Sequence, residues 1–226
     1  MKRPFYIVLA AQFFSSLADN ALILASIALL REILNDPSPG DQEPLLKFFF
    51  TVAYVVLAPF VGAFADSRPK GTVMFITNLI KVAGCAIMLV GVSPLMAMVI
   101  VGLGAAAYSP AKYGIVTELV PAKQLVAANG WIETLTVLSI IFGTVLGGFL
   151  SSPGLHRWLL HHHPHWTLSP GLTAVSIICV VYGIAALLNK MIPDSGVRYR
   201  KQHIHPVALT REFIQSSKVL WTDKLG

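Results

Sequence analysis

Long apolar stretches separated by short polar connections run the length of this chain. Six of them, roughly residues 5–34, 45–65, 72–92, 95–116, 122–151 and 168–192, can cross a hydrocarbon core of about 30 Å at 1.5 Å per residue. The first follows Met1-Lys2-Arg3 and so resembles a signal peptide, but it continues to Leu34 without a small-x-small cleavage site. It reads as a retained span. The pattern predicts an all-α, polytopic membrane protein with a six-transmembrane-helix bundle over residues 1–192. Residues 193–226 form a basic linker, and a helix over Pro206–Trp221 would set Leu209, Phe213, Leu220 and Trp221 opposite Arg211 and Lys218. That is the pattern of a helix lying in the membrane interface. Six spans and such a linker read as half of a larger unit.

The fourth span carries Gly102-Leu-Gly-Ala-Ala-Ala-Tyr-Ser-Pro-Ala-Lys-Tyr-Gly114, whose small residues let a neighbouring helix approach closely. Pro110 removes a backbone donor and is expected to disturb the helix just before Lys112. The same stretch contains a G-x-G-x-x-A, the shape of a dinucleotide-binding turn. That reading requires flanking strands and an acidic residue about 20 positions on. The chain has Lys123-Gln124-Leu125 there and spans too long to be strands. The fifth span ends in Gly143-Thr-Val-Leu-Gly147, a spacing for close helix packing.

Composition agrees with the pattern: 55% of residues are hydrophobic and only 12% charged, about half the charge fraction of soluble domains. The net charge of +6 does not point to nucleic acid, because seven of the 17 Lys and Arg lie from Lys190 onward, where they face anionic lipid. Asn35–Pro44 holds Asp36, Asp41 and Glu43 with no Lys or Arg, Gly91–Pro94 holds no charge, and Ser151–Thr167 holds only Arg157. Lys2, Arg3, Arg68, Lys70, Lys112, Lys123 and the tail lie on the other side. The positive-inside rule therefore predicts both termini in the cytoplasm and three outward loops. Cys85 and Cys179 fall in apolar runs and read as buried thiols. His156, His161, His162, His163 and His165 have no Cys, Asp or Glu beside them and read as a polar outward loop rather than a zinc site.

The candidate chemistry lies inside the membrane. Gln12, Ser15, Ser16, Asp19 and Asn20 share one side of the first span by i, i+3, i+4 spacing. Asn78, Lys81 and Cys85 repeat the spacing in the third, beside Thr77, as do Asn129, Glu133 and Thr136 in the fifth. A charge at a helix centre costs about 2.5–3.5 kcal/mol, so Asp19, Lys81 and Glu133 together cost roughly 8–10 unless they pair or face a wet cavity. Two readings follow: an internal ion pair such as Asp19 with Lys81, or a ligand path lined by the same groups. Both hold if substrate displaces the pair. Lys47 and Lys112 lie near span ends, where a lysine can snorkel.

Gly62-Ala-Phe-Ala-Asp66-Ser-Arg68-Pro-Lys70-Gly71, between the second and third spans, resembles the G-x-x-x-D-R-x-G-R-R loop of the major facilitator superfamily. Ser67 replaces the first Arg of that motif and Pro69 its second Gly. Gly62, Asp66, Arg68 and Lys70 are thus a candidate conformational latch, with Asp66 accepting hydrogen bonds and the two cations capping helix C-termini. A closer resemblance covers most of the chain. Ala18-Asp-Asn-Ala-Leu22, Ala58-Pro-Phe-Val-Gly62, Ala65-Asp-Ser67, Gly104-Ala-Ala-Ala-Tyr-Ser-Pro-Ala-Lys-Tyr-Gly114 and Ala128-Asn-Gly130 resemble the bacterial lysophospholipid transporters.

That resemblance implies one half of a twelve-helix inner-membrane flippase, moving lyso-phosphatidylethanolamine inward through the membrane lipids by alternating access. It implies a second six-helix half and a partner acyltransferase/acyl-carrier-protein synthetase, and no cofactor. A phosphoethanolamine head needs an acid for its ammonium and a base for its phosphate. Candidate substrate-binding residues are Asp19, with Asn20 beside it and Glu133 as second acid, and Lys81 or Lys112 as the base. The rival readings are a drug or metabolite exporter of the same superfamily, proton-coupled through Asp19 or Glu133, and a non-transporting membrane partner. An intramembrane enzyme is disfavoured, since the chain has no H-E-x-x-H and no His-Asp pair at catalytic spacing.

Overall fold

A computed structural model describes residues 3–35, 42–197, 210–211 and 214–215. Its helices are α1 (Arg3–Leu34), α2 (Gln42–Asp66), α3 (Lys70–Leu89), α4 (Pro94–Leu119), α5 (Leu125–Leu150), α6 (Pro153–His162) and α7 (Pro170–Lys190). All but α6 are long and apolar enough to cross a membrane, and they match the six expected spans to within a few residues. Pro94, Pro153 and Pro170 occupy first helical turns, where a missing N–H removes no intrahelical bond. Ser152 and Ser169 cap α6 and α7, their hydroxyls accepting from Leu155 N at 3.2 Å and Leu172 N at 3.3 Å.

Helix α4 stays continuous through Pro110, as α2 does through Pro59. One lost donor is tolerated where neighbouring helices hold both sides of the kink position. The histidine-bearing connection is not a bare loop: residues 153–162 form α6, because Leu155 and Leu159 fall on one side and settle against the bundle. The interfacial helix expected over 206–221 lies outside the described residues, apart from helical positions 210, 211, 214 and 215.

Helix α4 packs along α2 and α3, α3 along α7, α7 along α1, and α1 along α5. Helices α2 and α5 end this series of neighbours, with α1 and α4 also touching across it. They also bury the smallest share of their positions, 17% and 22%, against 44% or more in the other four spans. So α2 and α5 keep the most open apolar surface, although each also touches the far side of the bundle, α2 at α1 and α5 at α4. At the α1–α5 contact a Cβ on Gly143 would stand 2.5 Å from Leu17 O, and one on Gly147 2.6 Å from Ala21 O, so the G-x-x-x-G is a contact face.

The interior divides into two apolar clusters. One joins Ala18, Leu22, Cys85, Met88, Val101, Ile178 and Tyr182, and the other joins Phe5, Val8, Met74, Tyr108, Ile115 and Ile132. Between them, on α1 and α3, lie Ser15, Asp19, Asn78 and Lys81. The polar stripes read from the sequence therefore meet in a layer across the middle of the bundle.

Candidate functional site

The layer is organised by Lys81. Its ammonium lies 2.8 Å from Asp19 Oδ1, 2.9 Å from Asp19 Oδ2 and 3.0 Å from Ser15 Oγ. Ser15 donates onward to Asn78 Oδ1 at 2.8 Å, and Tyr182 donates to Asp19 Oδ1 at 2.7 Å. The rings of Tyr108 and Tyr182 flank the ammonium, with centroids at 5.1 and 5.5 Å. The internal ion pair is thus present, and its charges neutralise each other in a low-dielectric layer. The pair is lopsided: the Lys81 side chain is 1% exposed and that of Asp19 20%. Only the acid has an accessible edge.

Helix α4 makes room for this lysine. A Cβ on Gly104 would stand 2.7 Å from Thr77 O and 2.8 Å from Lys81 Cγ. Gly114, ten residues on, does the same for Lys70, whose Cε would lie 3.0 Å from an added Cβ. The glycines of the small-residue run therefore seat two lysine stems that belong to α3.

Lys70 belongs to the expected latch. It opens α3, is buried, pairs with Asp66 at the end of α2, and donates to Ala65 O at 3.0 Å. It thus caps the C-terminus of α2. Ser67 caps the same end, donating to Phe64 O at 2.7 Å. Arg68 and Gly62 are exposed, and a Cβ on Gly62 would meet nothing. The latch geometry gathers on Asp66 and Lys70.

Lys112 and Glu133 form a second group, with Lys112 one turn of α4 beyond Tyr108. Lys112 is only 7% exposed, so it does not snorkel as its place near a span end suggested. Its ammonium stands 4.4 Å from the ring centroid of Tyr113. No carboxylate lies within ion-pair distance of it among the described residues. Tyr113 donates to Glu133 Oε1 at 2.7 Å, and Glu133 is exposed. One tyrosine thus holds a buried cation of α4 and an exposed acid of α5 in one neighbourhood. Asn20 donates to Ser16 O at 2.8 Å, within its own helix, beside Asp19. Gln12 and Thr136, from the stripes of α1 and α5, bond at 3.0 Å.

Tyr108 and Tyr113 stand in the run that carries the resemblance but were given no role, and Tyr182 was not singled out in the sequence. Neither was Glu32, which accepts from Gly171 N at 2.7 Å and Ser169 Oγ at 2.5 Å and caps α7 from the far end of α1. An open apolar groove of about 490 Å³ between α1 and α5 is lined by Phe13, Leu17, Phe142, Val145, Leu146 and Phe149. Phe142 lies about half a helical turn around α5 from Glu133, so this groove is not part of the charged site.

A family model of the Major Facilitator Superfamily matches residues 8–225. The chain is 40% identical over 223 residues to the lysophospholipid transporter LplT of Pectobacterium carotovorum subsp. carotovorum (strain PC1), and 40% identical to that of Yersinia enterocolitica serotype O:8. Each alignment covers 99% of this chain and 50% of the relative, so the chain spans about half the length of the curated relatives it matches. Among solved structures, it superposes with a TM-score of 0.61 at 16% identity on a bacterial homologue of the human lysosomal transporter Spinster, in an inward-facing and unoccupied conformation. That likeness covers 95% of this chain and 50% of the other.

Proposed function

This chain belongs to the major facilitator superfamily, and from that premise we propose that it is one six-helix half of a lysophospholipid transporter. Its cargo is a lyso-phosphatidylethanolamine-type lipid, moved from the outer to the inner leaflet of a bacterial inner membrane. The observation that carries this reading is the Lys112–Tyr113–Glu133 group. A phosphoethanolamine head has a phosphate and an ammonium a few bonds apart. Lys112, a buried cation without a carboxylate in ion-pair reach among the described residues, takes the phosphate; Glu133 takes the ammonium. The exposed edge of Asp19 is the competing ammonium site. The relatives' printed names support a lysophospholipid as the cargo.

Helices α2 and α5 leave their faces for a second six-helix half, and rocking of the two halves exposes the head-group residues to each leaflet in turn. The acyl chain stays in the lipid. Both termini lie in the cytoplasm, where an acyltransferase/acyl-carrier-protein synthetase receives the product for re-acylation. The test is reconstitution into vesicles with the second half co-expressed. The pair should carry head-group-bearing lysolipid inward, this half alone should not, and Lys112→Met should lose transport while the protein stays folded. Transport of hydrophobic drug cations with no effect of the lysolipid head would favour an exporter instead.

A further inference from the structure

Helix α6 is absorbed by nothing above. It lies between the end of α5 at Leu150 and the start of α7 at Pro170, on the membrane face that α1 and α5 both reach at their C-terminal ends. Leu155 packs against the core, while Leu155, His156 and Leu159 are each half-buried. At 100° per residue these three define the side that faces the bundle. Trp158 and Leu160 flank that side and are 54% and 40% exposed, although both are large and apolar. Arg157 and His161 point away from it and are exposed. Trp158 is held in place: its ring stacks on His162 at 4.5 Å, and His162 Nδ1 lies 2.9 Å from Trp158 O. The connection is tied down again at Trp166, which donates to Thr173 Oγ1 of α7 at 3.0 Å.

We infer that α6 is a membrane-surface helix that docks on the phospholipid head-group layer at the bundle end opposite the chain's N-terminus. Two observations point to this occupant. A helix joining the ends of two adjacent spans within a few residues of each sits at the depth of the lipid head groups. Its exposed side also suits that layer: Trp158 and Leu160 lie on the two flanks beside the buried side, and Arg157 and His161 lie between them, farthest from the bundle. No Asp or Glu occurs between Glu133 and Asp194 in the sequence, so the segment itself offers no acid to compete for Arg157. The contact fixes the tilt and depth of α5 and α7 without using any residue of the proposed head-group site.

Nitroxide labels placed singly at Arg157, Trp158, Leu160 and His161 in the reconstituted chain test this, since all four side chains are exposed and none supports the core. In vesicles of phosphatidylcholine with phosphatidylglycerol, labels at 158 and 160 should collide several-fold more with oxygen than with a water-soluble nickel chelate. Labels at 157 and 161 should show the reverse. Arg157→Glu should shift the 158 label toward water in these vesicles and not in phosphatidylcholine alone. Four water-like labels would overturn the inference. So would protection of 158 and 160 from both reagents, which would mean a protein occupant, or an unchanged depth with Arg157→Glu.

Discussion

Lys81 reaches both carboxylate oxygens of Asp19, at 2.8 and 2.9 Å, yet only Asp19 retains an exposed edge. The asymmetry decides what each partner's removal does. Asp19→Ala leaves an ammonium that is 1% exposed, and should cost about 3–5 kcal/mol, the range for orphaning a buried charge. Lys81→Met leaves an acid that is 20% exposed and still bonded to Tyr182, and should cost clearly less. The double variant should recover much of the loss. Thermal unfolding in detergent, followed by size-exclusion profiles, gives the order; equal losses for the two single variants would contradict it.

Cysteines placed singly at Ser38 and Ser195 should react with a membrane-impermeant maleimide from opposite sides, Ser38 from outside. This follows from the Lys and Arg asymmetry between connections. Labelling of both from outside would end the six-span arrangement.

Gly147 and Gly183 should respond oppositely to alanine. A Cβ at 147 meets Ala21 O at 2.6 Å, so α1 and α5 must separate, at about 1–3 kcal/mol. A Cβ at 183 meets nothing within 4 Å, and the substitution should be neutral or stabilising by up to about 1 kcal/mol. The same unfolding assay reads both.

Of the candidate latch residues, Lys70→Met should matter and Arg68→Gln should not. Lys70 is buried, pairs with Asp66 and caps Ala65 O, so its loss should cost about 1–3 kcal/mol. Arg68 is exposed and its loss should stay within about 0.5 kcal/mol. A transport assay with the second half present would show whether the Lys70 variant also shifts the balance of conformations.

The spans were readable because hydrophobic run length is a property of the chain alone, and Asp19 with Lys81 because a membrane leaves midspan charges few options. Tyr182 carried no such mark. A tyrosine in an apolar run looks like any large residue until the fold brings it to Asp19, 163 positions away. Gly104 reads correctly as a close-approach residue, but neither it nor Gly114 is legible as the seat of a lysine, since seating depends on which helix lies opposite. Snorkelling stayed open for Lys112 because distance from a span end says nothing of which side the helix turns inward. Pro110 leaves α4 continuous because packing on both sides of the helix outweighs one lost bond.

The proposed head-group residues can be divided by comparing two lipids on folded, detergent-stable variants. Lyso-phosphatidylethanolamine carries a cation and lyso-phosphatidylglycerol does not, while both carry a phosphate. If Glu133 takes the ammonium, Glu133→Gln should weaken the first lipid by about 1.5–3 kcal/mol, tenfold or more, and spare the second. If Lys112 takes the phosphate, Lys112→Met should weaken both alike. Its stability should hold or rise, because a buried ammonium with no carboxylate in ion-pair reach among the described residues is replaced by an apolar side chain. Asp19→Asn separates the competing site. Asp19 already holds Lys81 and Tyr182, so its neutralisation should lower stability without favouring either lipid. A selective loss of lyso-phosphatidylethanolamine with Asp19→Asn, and none with Glu133→Gln, would move the ammonium site to the exposed edge of Asp19 and make the Lys81 pair the one that substrate displaces.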